Sequence, residues 1–440
     1  MKGRIDSYFG ITERGSDFAT EVRAGLVVFL AMSYVLVVNP NIMTDGTGMD
    51  WDAVFTATVL SAIIGTFVMA VYARYPVALA PGMGMNALFA YTIVGTMGYS
   101  WQQALMAVVI SGVAFLLLTA TGVREKILEA IPRDFRISIM AGIGMFIAFV
   151  GLQGSGIIVA HPGTLVTLGD FSQPAVMLAL FGIAVTAFFF LRGWKAAIFI
   201  GIIITAVVGI AAGVVPTPSG AVSMPAAPDA GAFLKDFSIA GLDIRYFVAI
   251  FTLLMLDMFD TAGTLLAVGE KAGLMDAEGN LVDGNKALAA DAIATVAGGA
   301  LGTCSVTSYV ESAAGIESGG RTGFSALVVC GLFALALFFS PLFSIIGPEI
   351  TVAALLLVGV SMLSSLGGLN WKDPVVALTA TVTVTSTVLA YSITDGIAFG
   401  SIFYALGMVS TGRGREVNPT LYVVAAVFLL YFALRTVYGV

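Results

Sequence analysis

Charge is scarce in this chain. Of 440 residues, 11% are Asp, Glu, Lys or Arg and 58% are hydrophobic, whereas a soluble domain carries about 25% charged residues. The shortage excludes a large water-soluble domain and leaves an all-α polytopic membrane protein. Histidine is nearly absent, with His161 standing alone, so histidine-rich metal sites are excluded. Cysteine is limited to Cys304 and Cys330, which read as packed thiols and not as a disulfide or metal pair. No basic cluster offers a surface for nucleic acid. No nucleophile–base pair is present and no catalytic or sensory domain is appended, so neither an enzyme nor a cofactor is expected. The net charge of −7 says little, because the placement of Lys and Arg counts for more than their sum. No cleavable leader is read, since residues 1–23 are polar and the first apolar run starts at Ala24.

What is present is a series of apolar segments with short loops. They run 24–43, 53–73, an interrupted one at 76–98, 102–121, 137–160, 174–191 and 196–215. A Pro-, Ala- and Ser-rich loop at 216–244 follows. The second set is 246–268, 287–302, an interrupted 303–320, 322–346, 350–366, 374–392 and 393–410. Fourteen spans result, as seven plus seven, and a last apolar run at 420–434 is left over. With the N-terminus in the cytoplasm, Arg74, Arg124, Lys126, Arg133, Arg192, Lys195, Lys271, Arg321, Lys372 and Arg413 all fall on the cytoplasmic side, as the positive-inside rule requires. Only Lys235 and Arg245 fall outside before the leftover run. Seven is odd, so the halves have opposite topology, which is the inverted-repeat plan of many secondary transporters. The third span of each half is the interrupted one, and such a matched pair points to a midplane substrate site.

The first interruption reads YPVALAPGMGMNALFAY. Pro76 and Pro81 oppose a continuous helix, and Asn86 reads either as the N-cap of a half-helix from Ala87 or as a ligand contact. The second reads TCSVTSYVESAAGIESGGRTG from Thr303 and places Glu311 between a β-branched run and a short helix. A charge at that depth points to function, and the plainer alternative is a helix cap. In the eighth span Asp257 and Asp260, three apart, share a helix face. Each costs about 2.5–3.5 kcal/mol to insert. Two close carboxylates repel when both are charged, a property that suits a proton-coupled carrier; otherwise they satisfy neighbouring polar groups. Asp291, among small residues of the ninth span, either holds the second interruption or carries a proton. Glu317 and Arg321 read as a local ion pair, and Asp395 as a capping residue at the start of the last span.

These stretches, with RAGLVVFLAMSYVLVVNPNIM, LDMFDTAGTLLAVGEKAGL and ITDGIAFGSIFYALGMVSTGRGREVNP, resemble the purine permeases of the azaguanine/hypoxanthine type, a branch of the nucleobase–cation symporter (nucleobase–ascorbate transporter) family. The resemblance implies a uracil-permease-like fold with short strands in spans 3 and 10. It implies a core domain (24–123 and 246–347) and a gate domain (124–215 and 348–412). Outside them lie an N-terminal stretch 1–23, the loop 216–245 and a C-terminal hydrophobic segment 413–440. It implies import of adenine, guanine or hypoxanthine by proton symport across the inner membrane, with an elevator-like movement, and it leaves room for a homodimer. Carried over by motif, Asn86, Asp257 and Glu311 bind the base. Asp260 is tied to transport and proton coupling, the division of labour between Asp257 and Asp260 staying open. Asp291 matches the ninth-span aspartate important in relatives. Backbone amides near Met85 and Val310 contribute, with carboxylates accepting the ligand's N–H groups and Asn86 serving its ring nitrogens and carbonyl. Phe89, Tyr91, Phe259 and Tyr309 are available to stack. An anion carrier of the sulfate or bicarbonate type is the alternative; three acidic residues and no nearby basic one speak against it.

Overall fold

The computed structural model describes residues 2–121, 132–235, 243–275 and 281–438. Arg124, Lys126, the domain boundary drawn at residue 123 and part of the 216–245 loop lie outside them. Helices dominate. In chain order they are α1 (Lys2–Phe9), α2 (Phe18–Met32), α3 (Val35–Thr47) and α4 (Trp51–Val68). Strand β1 (Leu79–Pro81), the half-helix α5 (Met83–Ala87), a π-helical continuation (Leu88–Thr96) and α6 (Trp101–Ala120) follow. Next come α7 (Arg133–Gly154), a hairpin of β2 (Ile158–His161) and β3 (Leu165–Leu168), α8 (Pro174–Leu191) and α9 (Ala197–Ala211). The chain resumes with α10 (Ile244–Ala272), α11 (Gly284–Leu301), β4 (Val306–Ser308), the half-helix α12 (Ser312–Glu317) and α13 (Gly323–Ala336). It ends with α14 (Pro348–Leu363), α15 (Pro374–Leu389), α16 (Ile393–Ser410) and α17 (Pro419–Tyr438).

Helix starts follow local chemistry. Asp17, Asp50 and Asp373 each accept an amide of the first turn of α2, α4 and α15, and Ser100 with Gln103 forms a capping box on α6. Such caps satisfy amides that have no helical partner. At α16 the cap is Ser392, which accepts from the amide of Asp395; Asp395 itself is a first-turn residue and not the cap.

Among the described residues, eight helical stretches are long and apolar enough to cross a bilayer, and Ala197–Ala211, Pro374–Leu389 and Pro419–Leu430 are shorter apolar helices. Several boundaries differ from the hydropathy reading. The first span starts earlier, at Phe18, and is interrupted at Ser33 and Tyr34 between α2 and α3. The fifth ends at Gly154; Gly156, at φ 75, turns the chain into the exposed hairpin that carries His161. The leftover run is helical: α17 packs on α16 and α10 and buries Leu421, Val424, Ala425 and Phe428.

The helices pack as two groups. One contains α2–α6, α10–α13, β1 and β4; the other contains α7–α9 and α14–α16. Contact between them is thinner, through α3 with α14, α5 with α7, the π-helical continuation with α16, and α2 with α9. In lipid, helices associate through close packing and polar contacts, so small residues sit where axes approach. Gly359 of α14 faces Gly144 of α7, where a Cβ would lie 2.6 Å from the Gly144 carbonyl oxygen and 2.8 Å from the Ala148 Cβ. Gly315 of α12 leaves no room for a Cβ beside Val28 and Ala24 of α2.

Gly359→Ala is therefore expected to lower the melting temperature of the detergent-purified protein, by overpacking worth about 1–3 kcal/mol. Gly331→Ala on α13, where a Cβ meets nothing within 4 Å, should melt with the wild type. Equal melting of all three would show that the close crossing does not hold the second group together.

Candidate functional site

β1 and β4 pair antiparallel inside the bundle, Leu79 opposite Ser308, Ala80 opposite Thr307 and Pro81 opposite Val306. The Gly82 amide adds a bond to the Ser305 carbonyl and the Tyr309 amide one to the Ala78 carbonyl. Side chains cover what the short ladder leaves over. The Thr66 hydroxyl lies 3.0 Å from the Leu79 carbonyl and 2.9 Å from its amide, and Ser312 accepts from the Ala78 amide at 3.0 Å. Broken backbone at membrane depth survives when it is paired in this way.

The acidic residues surround this strand pair. Asp257, fully buried, accepts from the Thr295 hydroxyl at 2.8 Å, and the same hydroxyl lies 2.9 Å from the Val306 carbonyl. Asp260 lies beside Thr307 and within electrostatic reach of Asp291 and Glu311. Asp291 accepts from Thr261 at 2.6 Å and Ser308 at 3.2 Å, so it ties α10 and β4 to α11. Glu311 occupies the residue before α12 but caps nothing. It accepts from the Tyr34 hydroxyl at 2.7 Å, so the interruption of the first span delivers a donor to the carboxylate of the tenth. Tyr34 was missed by the sequence reading; a Ser–Tyr pair within an apolar run is a faint signal for a break.

Asn86 does not cap a half-helix starting at Ala87. The half-helix begins four residues earlier, at Met83, with Gly82 as its N-cap, and Asn86 lies inside it. Its side chain is fully buried and donates to Asn39 Oδ1 at 3.1 Å. Met85 is buried in the same short helix, whose first internal bond runs from the Asn86 amide to the Gly82 carbonyl. Val310 has an exposed side chain and its carbonyl accepts from the Ala313 amide at the start of α12. Of the aromatic candidates, Phe89 is buried in the apolar core, and Tyr91 packs edge-on against Phe146 and Tyr391. The Tyr309 hydroxyl donates to the Pro81 carbonyl, with its ring 6.4 Å from that of Tyr34. The Phe259 side chain lies outside the described ones.

A cavity of about 280 Å³ opens between the two helix groups, lined by Glu311 and Ala314 on one side and by Trp194, Lys195, Val358 and Ser361 on the other. It is near the lower end of small-molecule sites, about 300–1,000 Å³. Lys195 corrects the expectation that no basic residue lies near. Its ammonium donates to the Ala314 carbonyl and the Ser318 hydroxyl, both at 3.1 Å, and pairs with Glu317 at 3.5 Å. Glu317 also pairs with Lys271 at 2.8 Å; its partners are these two lysines and not Arg321. Among the described residues no group of acidic, His and Cys side chains could hold a metal.

A sequence profile of the permease family matches residues 19–401. The chain belongs to the permease family. It is similar to the guanine/hypoxanthine permease PbuG of Bacillus subtilis (strain 168), at 44% identity over 97% of this chain and 99% of the relative. It is also similar to the adenine permease AdeQ of Escherichia coli (strain K12), at 41% identity over 97% and 96%. In fold it is similar to the transmembrane domain of a cyanobacterium bicarbonate transporter, BicA, with a TM-score of 0.64 at 16% identity, covering 86% of this chain and 96% of that one. Together with the long apolar helices, the family makes this a multi-pass membrane protein.

In this permease, Asp291→Ala is expected to lower the melting temperature, because the Thr261 and Ser308 hydroxyls lose their acceptor at a cost of about 1–3 kcal/mol. Asp291→Asn keeps an acceptor oxygen and should recover most of that loss. An alanine variant as stable as the wild type would remove the strut role.

Proposed function

We propose that this protein is a secondary transporter that imports purine nucleobases (adenine, guanine or hypoxanthine) across the cytoplasmic membrane together with protons. The observation that carries the reading is the strand pair with Asn86, Asp257, Asp260 and Glu311 gathered around it, in a chain similar over nearly its whole length to permeases named for purines. A purine is flat, neutral and rich in N–H donors and ring-nitrogen acceptors. Carboxylates suit the donors, and a buried polar site rejects analogues that leave its own groups unpaired. The cavity beside Glu311 suits so small a ligand.

The coupling reading rests on Asp260 lying within reach of the charges of both Asp291 and Glu311. Close carboxylates repel when all are ionised, so taking up a proton and accepting a neutral base are compatible events there. Asp257 and Asp260 are the proposed coupling pair, with Asp291 a third candidate; the N-terminus is cytoplasmic. Residues 24–123 and 246–347 form the moving core, and 124–215 and 348–412 the gate. The thin contact between the two helix groups is what an elevator-like movement requires. The likeness to a bicarbonate transporter is one of fold. Lys195, the basic residue at the cavity, is already engaged with Glu317 and the end of α12, so an anion reading gains nothing from it.

Calorimetric titration of purified protein with adenine, guanine, hypoxanthine, xanthine and uracil tests the ligand. One or more of the first three should bind, and Glu311→Gln and Asp257→Asn should each weaken binding about tenfold or more, as loss of a charged hydrogen bond implies. No binding of any purine would overturn the reading. In proteoliposomes, a protonophore should abolish accumulation of the bound base; accumulation that persists without a proton gradient would retire the coupling.

A further inference from the structure

We propose that Asn39 is a positioning residue that fixes the orientation of the Asn86 side-chain amide, so that Asn86 meets the nucleobase as a hydrogen-bond acceptor; the inference rests on the nucleobase reading above. Amide oxygens and nitrogens are told apart by their partners, and here the partners form a chain with a definite direction. It starts at Thr58 on α4, whose hydroxyl donates its single proton to the Val54 carbonyl at 2.7 Å. Toward any other group this hydroxyl can only accept. Asn39 on α3 lies 2.7 Å from it, so Asn39 must present its nitrogen there. Its second N–H reaches the Thr303 hydroxyl at 2.9 Å. The Asn39 oxygen is thereby turned the other way, toward Asn86 on α5 and the Cys304 sulfur at 3.5 Å. Asn86 must answer an oxygen with its own nitrogen. That nitrogen also lies 3.9 Å from the Met83 sulfur, so both of its N–H groups face protein acceptors.

What Asn86 has left is Oδ1. It is buried and has no partner among the described residues, and the whole side chain is inaccessible. An unsatisfied buried oxygen is costly and asks for an explanation. A ligand N–H supplies one. The polarity is opposite to that expected from the sequence, where Asn86 served ring nitrogens and a carbonyl.

The consequence is a specificity rule. Adenine and hypoxanthine carry reversed patterns on one edge: a ring-nitrogen acceptor beside an amino donor in adenine, a ring N–H beside a carbonyl in hypoxanthine. An amide locked as an acceptor separates them, and an amide free to turn over does not. Neither Asn39 nor Thr58 needs to touch the ligand for this.

The test is titration of adenine and hypoxanthine into wild type, Asn39→Ala, Thr58→Val and Thr58→Ser, with a melting curve for each protein. The wild type should prefer one base. Asn39→Ala and Thr58→Val should each bring the ratio of the two dissociation constants about tenfold closer to one, the scale of a single hydrogen bond. Thr58→Ser, which keeps the hydroxyl, should retain the wild-type ratio. A general loss of stability would weaken both bases by the same factor, so an unchanged ratio in folded Asn39→Ala and Thr58→Val overturns the inference, as does a wild-type ratio near one. Should Asn39→Ala fail to fold, the Thr58→Val and Thr58→Ser pair decides alone. If the wild type binds no purine, guanine included, the nucleobase reading falls and takes this inference with it; selective binding with a ratio constant across the variants sinks only the inference.

Discussion

Two three-residue strands, Leu79–Pro81 and Val306–Ser308, meet inside an apolar bundle, and the arrangement of the site depends on that meeting. A helix satisfies its own backbone; a broken one exposes amides and carbonyls that cost several kcal/mol each in a dry interior. Here each break supplies the partner the other lacks. Neither strand would be tolerated alone, so the distant stretches around residues 80 and 307 are held together by necessity. The half-helices α5 and α12 are carried with them.

The hydroxyls and carboxylates around the strands follow from the same constraint. Thr66, Thr295 and Ser312 finish the pairing that three-residue strands begin, while Thr261 and Ser308 bind the Asp291 carboxylate beside it. Asp257 and Asp291 are hydrogen-bonded within this scaffold, whereas Glu311 meets a single phenol from the interrupted first span and faces the cavity at the seam. The candidate ligand groups are therefore carried by the scaffold, and the charged ones differ in how far the protein has already engaged them. Because the seam separates two internally well-packed helix groups, the cavity lies where relative movement disturbs the least packing.

Much of this was legible in the residues. Scarce charge, long apolar runs and the prolines Pro76 and Pro81 ahead of Gly82 announced a membrane bundle with interrupted segments, because water-to-lipid transfer and the missing proline amide act locally. Errors arose where a partner sits far off in sequence. The cap that Asn86 offered as one of its two readings is taken by Gly82, which starts the helix, and Asn86 turns to Asn39. Glu317 was given its sequence neighbour Arg321, yet the fold brings Lys195 and Lys271 to it. Asp257 and Asp260 share a helix face, yet one is bound by Thr295 and the other lies beside Thr307.

The sequence by itself determined the class, the interrupted segments and the identity of the buried acids, since each is a property of composition or of residues within a turn of one another. The tertiary structure alone decided that the two interruptions pair, that Tyr34 reaches Glu311 across 277 residues, and which end of the Asn86 amide is left over. Hydrogen-bond direction depends on what stands opposite each group. In a bundle whose helices cross, that is a residue from another part of the chain, which no local pattern specifies.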